Sequence, residues 1–101
     1  MEMKVKAWGS TYKVKPIIDN YRNNGNLYIG LNTEYEPFAD LTVNICELSE
    51  NEAAIDTNNC PWAEQFIEDY SLGTPTGRYL RSGYCAYPVY KFDLDKVKQY
   101  R

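Results

Sequence analysis

Histidine is missing from the 101 residues altogether. That excludes Ser-His-Asp and Cys-His nucleophile systems, zinc sites built on imidazole, and the commonest general base near neutral pH. Cysteine is scarce: Cys46, Cys60 and Cys85 are odd in number and far apart, with no CxxC spacing. Such usage fits free thiols in a reducing compartment better than a disulfide framework or a zinc ribbon. The six glycines are scattered singly, so there is no phosphate-cradling loop. Nowhere do about 18 apolar residues follow one another, which rules out a membrane-spanning helix. The opening Met1-Glu2-Met3-Lys4-Val5-Lys6 lacks the apolar core of a secretory signal. The expected location is the cytoplasm, and no cofactor or metal is implied.

The last absence is the most informative. Residues 23–77 contain no Lys or Arg but ten acids: Glu34, Glu36, Asp40, Glu47, Glu50, Glu52, Asp56, Glu64, Glu68 and Asp69. Residues 1–22 hold five bases against two acids, and residues 78–101 six against two. A net charge of −3 therefore hides segments of +3, −10 and +4. Basic end strands pairing beside acidic central ones would explain the pattern without function. An acidic face bordered by Glu34, Glu36, Glu47, Glu50, Glu52 and Glu64, steering a basic protein partner, would give it one. Nucleic acid is not the expected partner of a chain this acidic.

What is present describes one small domain, 44% apolar and with ten tyrosines. Residues 4–8 alternate polar and apolar and break at Gly9-Ser10, and residues 12–18 alternate less cleanly around Pro16. Asn23-Asn24-Gly25-Asn26 signals a hairpin. Leu27, Ile29 and Leu31 share one face of a strand, as do Ala39, Leu41, Val43 and Ile45. Residues 53–56 read as a short strand. A helix is expected from Pro61, capped by Asn58 or Asn59, with the stripe Trp62, Phe66, Tyr70 inward and Gly73 ending it in a left-handed conformation. Residues 73–77 read as a loop, residues 78–80 as a short strand and residues 84–92 as a longer one. Asp93 can cap a closing helix with Leu94 and Val97 inward. The expected architecture is α+β: a mostly antiparallel sheet of about five strands, one amphipathic helix on a face, and a short C-terminal helix.

Two local groups of residues could carry chemistry. Asp56-Thr57-Asn58-Asn59-Cys60-Pro61-Trp62 sets a thiol just before a helix start, where the dipole would favour a thiolate. On that pattern Cys60 is the most reactive of the three thiols, and Cys60 with Asp56 is the candidate centre of a thiol-dependent enzyme. No base, resolving cysteine or nearby cation supports it, and a capped helix start with Cys60 as a small half-buried side chain explains the same residues. Arg78 and Arg81 with Tyr79 and Tyr84 form the second group, suited to gripping or stacking on a partner, or simply to a solvated edge strand.

The runs Glu36-Pro37-Phe38-Ala39-Asp40-Leu41-Thr42-Val43-Asn44 and Asp56-Thr57-Asn58-Asn59-Cys60-Pro61-Trp62 also carry a family likeness. So do Gly77-Arg78, Ser82-Gly83-Tyr84-Cys85-Ala86-Tyr87-Pro88 and Tyr90-Lys91-Phe92-Asp93-Leu94. Together, over about residues 21–94, the chain resembles an uncharacterised family of small proteins carried on conjugative transposons and plasmids of gut-associated bacteria, mainly Firmicutes. The resemblance implies a cytosolic accessory protein of a mobile genetic element and transfers no catalytic residue. The function expected is non-enzymatic protein binding, with the Cys60 enzyme as the alternative.

Overall fold

The computed structural model describes residues 1–101. Eight strands and two short helices follow in the order β1 (Met3–Ala7), β2 (Ser10–Asn20), β3 (Leu27–Asn32), β4 (Pro37–Asp40), β5 (Thr42–Val43), β6 (Glu52–Ile55), α1 (Ala63–Asp69), β7 (Gly73–Ser82), β8 (Cys85–Phe92) and α2 (Leu94–Lys98). They form two four-stranded antiparallel sheets, ordered β1-β2-β3-β4 and β5-β6-β8-β7. No helix is long and apolar enough to cross a membrane.

The single sheet of about five strands is thus corrected to two sheets, and the reason lies at Leu41. The alternating run through residues 39–46 is divided there. Leu41 N–H donates to the Ile29 carbonyl, while the Leu41 carbonyl accepts from Asp56 N–H. One residue hands the chain from β3 to β6, so β4 and β5 belong to different sheets. The apolar alternation survives the handover, with Leu41 wholly buried. One hydrophobic cluster of 19 buried residues draws on both sheets and both helices, including Met3, Ile29, Leu41, Ile55, Phe66, Ile67 and Val97.

α1 is shorter than its aromatic stripe suggested. Neither Asn58 nor Asn59 caps it; Asn59 instead donates its N–H and its side-chain amide to the Asp56 carboxylate, closing a separate turn before the helix. At the other end the left-handed residue is Ser71 (φ 54°), not Gly73. Ser71 N–H reaches the Glu68 carbonyl and Leu72 N–H the Ile67 carbonyl, a Schellman closure that buries Leu72. Gly73 opens β7, where a Cβ would lie 2.7 Å from the Lys91 carbonyl; the missing side chain lets β7 approach β8. The expected loop over residues 73–77 is therefore strand, with the register shift between Pro75 and Tyr79 absorbing its irregular residues. At the C-terminus Asp93 caps α2 by accepting from Lys96 N–H, as its sequence position suggested.

Candidate binding surfaces

The two strands at the outer edge of the second sheet extend into a hairpin arm. Register pairs run from Tyr79↔Pro88 to Ser82↔Cys85, which leaves Gly83-Tyr84 as a two-residue turn. Gly83 alone of the two has positive φ (62°), the pattern of a type II′ turn with Gly at its first central position. β8 buries Tyr87, Val89 and Tyr90, whereas β7 buries nothing. Tyr79 is 64% exposed and Tyr84 fully so. Arg78 is tied to β6 through Glu52, Nη2 to Oε1 at 2.7 Å, while Arg81 forms no ion pair. Arg78, Arg81 and Tyr84, grouped by sequence alone, lie on one hairpin, with Arg81 on the face of Tyr79 and Arg78 on the opposite one.

The six glutamates are not gathered in this way. Glu34 and Glu36 sit in the exposed β3–β4 turn, where Glu34 lines a cleft with Lys13, Lys15 and Arg101. Glu47 and Glu50 lie on the loop before β6 and line a different cleft beside Ile18 and Leu94. Glu52 is committed to Arg78 and to Ser49 N–H. Glu64, on α1, accepts a 2.8 Å hydrogen bond from the Tyr90 hydroxyl. That bond adds to burial in holding the Tyr90 phenol well above its ordinary range. Two of the six are therefore engaged internally, and the others occupy separate loops.

Cys60 is only 3% exposed, and its Sγ lies 3.7 Å from the Asp40 carbonyl. Burial pushes its thiol up to about 11, helped by the negative charges of Asp56 and Asp40. This corrects the expectation of a reactive thiolate. α1 begins three residues later and is too short for its dipole to offset desolvation beside two carboxylates. Asp56 is occupied by Asn59 rather than aimed at the sulfur. All three cysteines are free; Cys46 is exposed and Cys85 half-buried.

The turn between β1 and β2 lies one residue earlier than the break expected at Gly9-Ser10. Residues 4–8 do not form the first strand to its end: Ala7 pairs with Ser10, so Trp8-Gly9 is the turn. Both turn residues have positive φ, 50° and 79°, which defines a type I′ hairpin with tryptophan at a position that favours Asn or Asp. Trp8 is 64% exposed. Its ring centroid lies 5.8 Å from Phe38 and 6.1 Å from Trp62, and Trp62 Nε1 is buried without a hydrogen-bond partner. The available signal was Gly9 flanked by Val5/Ala7 and Tyr12/Val14, two alternating runs separated by a two-residue gap.

Residues 17–101 match a family described as "Domain of unknown function (DUF4313)". β1 and the first part of β2, Trp8 included, precede the matched span. No curated protein and no solved structure matches the chain.

Proposed function

We propose that this chain, which belongs to the DUF4313 family, is a non-enzymatic binding module that engages a protein partner through its β7–β8 arm. The observation that carries the reading is the arm itself. A ten-residue strand contributes nothing to the core, yet it presents two exposed tyrosines and an unpaired arginine around a tight turn. Tyr, Trp and Arg dominate the energetics of protein interfaces, the aromatics because they bring large contact area with few rotatable bonds to freeze. Arg81 calls for a carboxylate on the partner.

This reading replaces the acidic face as the main contact. Glu47 and Glu50 remain as exposed carboxylates through which a basic partner would gain a secondary contact. The buried, protonated Cys60 weighs against the thiol-dependent enzyme. A cytoplasmic, single-domain accessory role on a mobile genetic element is the setting we favour, and the likeness of residues 36–44, 56–62 and 82–88 to such proteins supports it.

Affinity capture from a host cell followed by mass spectrometry tests the reading. The wild-type chain should retain a partner that the triple variant Tyr79→Ser/Arg81→Glu/Tyr84→Ser loses. All three side chains are exposed, so the variant should fold normally. Retention of the same partners by the triple variant would exclude the arm as the contact.

A further inference from the structure

We propose that the outer face of the β1–β2 hairpin, with Trp8 at its tip, binds single-stranded nucleic acid. Register places Lys4 opposite Lys13 and Lys6 opposite Thr11, so these side chains share one face, with Lys15 next along β2. The other face of the same hairpin, Met3, Val5, Ala7 and Val14, is buried. Four lysines therefore stand on solvent in a chain whose net charge is −3. Their only ion pair is Lys13–Glu2 at 3.3 Å between two largely exposed side chains, which does little to offset them.

Two features here run against what folding alone favours. Like charges directly opposite across a strand pair are destabilising, and Lys4 faces Lys13. A bulky residue at φ 50° is strained, and Trp8 occupies a turn position where Asn would relax it. Edge strands carry lysines to prevent aggregation, but that purpose does not call for a strained, exposed tryptophan. Packing against Phe38 and Trp62 fixes the indole in place while most of it stays in solvent. Lys6 lines a small cleft together with Trp8 and Thr11.

Among anionic partners the surface fits a single strand better than an acidic peptide. A peptide would seat apolar side chains in the clefts beside the lysines, which Met1, Ile17, Trp62 and Phe66 help to line, but would leave the exposed Trp8 ring at the tip without a flat partner. A nucleic acid strand needs cations along its backbone and a ring on which a base stacks. The local charge reverses the expectation drawn from the whole chain.

Fluorescence anisotropy with a labelled oligothymidylate of about 15 nucleotides, within the site size of small single-strand binders, is the test. Binding should weaken roughly 20- to 50-fold between about 50 and about 200 mM salt, as three or four phosphate contacts require. Lys4→Glu/Lys13→Glu should abolish it. Trp8→Asn should weaken it about tenfold, the loss of one stacked base, while the melting midpoint stays close to that of the wild type, because the strain relieved at the turn offsets the lost contacts with Phe38 and Trp62. Tyr79→Ser/Tyr84→Ser should leave it unchanged, which separates this surface from the arm. Absence of binding, or full affinity in the Trp8→Asn variant, would overturn the proposal. So would competition by polyglutamate at lower concentration than oligothymidylate, which would make an acidic polypeptide the ligand.

Discussion

The β1–β2 and β7–β8 hairpins have the same outline and different roots. Each joins its strands by a two-residue turn, and each supplies an edge strand, β1 to the first sheet and β7 to the second. β1 alternates buried and exposed, sending Met3, Val5 and Ala7 into the core; β7 sends none. The turns differ in the opposite sense. Gly83 is the residue a type II′ turn selects, whereas Trp8 is one a type I′ turn selects against. The hairpin whose edge strand enters the core has the strained turn, and the one whose edge strand stays outside it, held through the buried β8, has the relaxed turn. Packing at the base of an element sets how far its tip can depart from what folding favours.

The strongest way to break this comparison is to remove a root. Met3→Ala, at a site 1% exposed, should cost about 2–5 kcal/mol in denaturant unfolding. Tyr84→Ala, at the other tip, should stay within about 0.5 kcal/mol of wild type. Equal losses would mean that the arm packs on something after all.

Alkaline pH loads the protein elsewhere, at the seam between the sheets. Cys60 is raised from 9.0 to about 11 and Tyr28 from 10.0 to about 12, each chiefly by burial, with the Tyr28 hydroxyl also donating to Asp40 at 2.6 Å. Both groups are neutral when protonated, so above their unfolded values the folded state holds more protons than the unfolded. Their stabilisation is complete below about pH 9 and is lost as pH rises through 11 to 12. Thermal midpoints should be flat from about pH 7 to 8.5 and fall beyond, and Cys60→Ala should shrink that fall. A midpoint that rises with alkalinity would contradict the burial.

A smaller effect sharpens the account of the arm. Glu52→Gln removes the ion pair that ties Arg78 to β6. The cost should be about 1 kcal/mol or less, since the guanidinium is more than half exposed. Amide exchange should quicken in β7 and not in β1. Smallest of all is a difference in rate: a thiol reagent should modify Cys46 first and Cys60 last, the reverse of the order that sequence position suggested. Mass mapping of partly labelled protein reads it directly.

Much of this was legible in the chain, in places where local chemistry decides. The β3 alternation and the Asp93 cap follow from neighbours a few residues away. The two-sheet architecture does not, because Leu41 keeps its alternation while its hydrogen bonds change partners, and those partners are Ile29 and Asp56. The start of α1 was misplaced for a similar reason: the Asp56 carboxylate captures Asn59 before Asn59 can cap a helix. The Trp8 turn was hidden by residue type, since tryptophan after an alternating run reads as one more strand residue. The acidic segment showed in sequence which residues carry charge but not where the chain would put them, and it scattered them over two loops, a strand and a helix.

On the proposed reading both exposed turns serve contact and not stability. The melting midpoint of a single chain carrying Trp8→Asn, Tyr79→Ser and Tyr84→Ser tests that claim most directly. The expected midpoint lies close to that of the wild type, because the strain that Asn relieves offsets the lost indole contacts with Phe38 and Trp62 and the two tyrosines lie outside the core. A fall of about 4–8 °C, equivalent to about 1 kcal/mol in a domain of this size, would contradict it and return these residues to the fold.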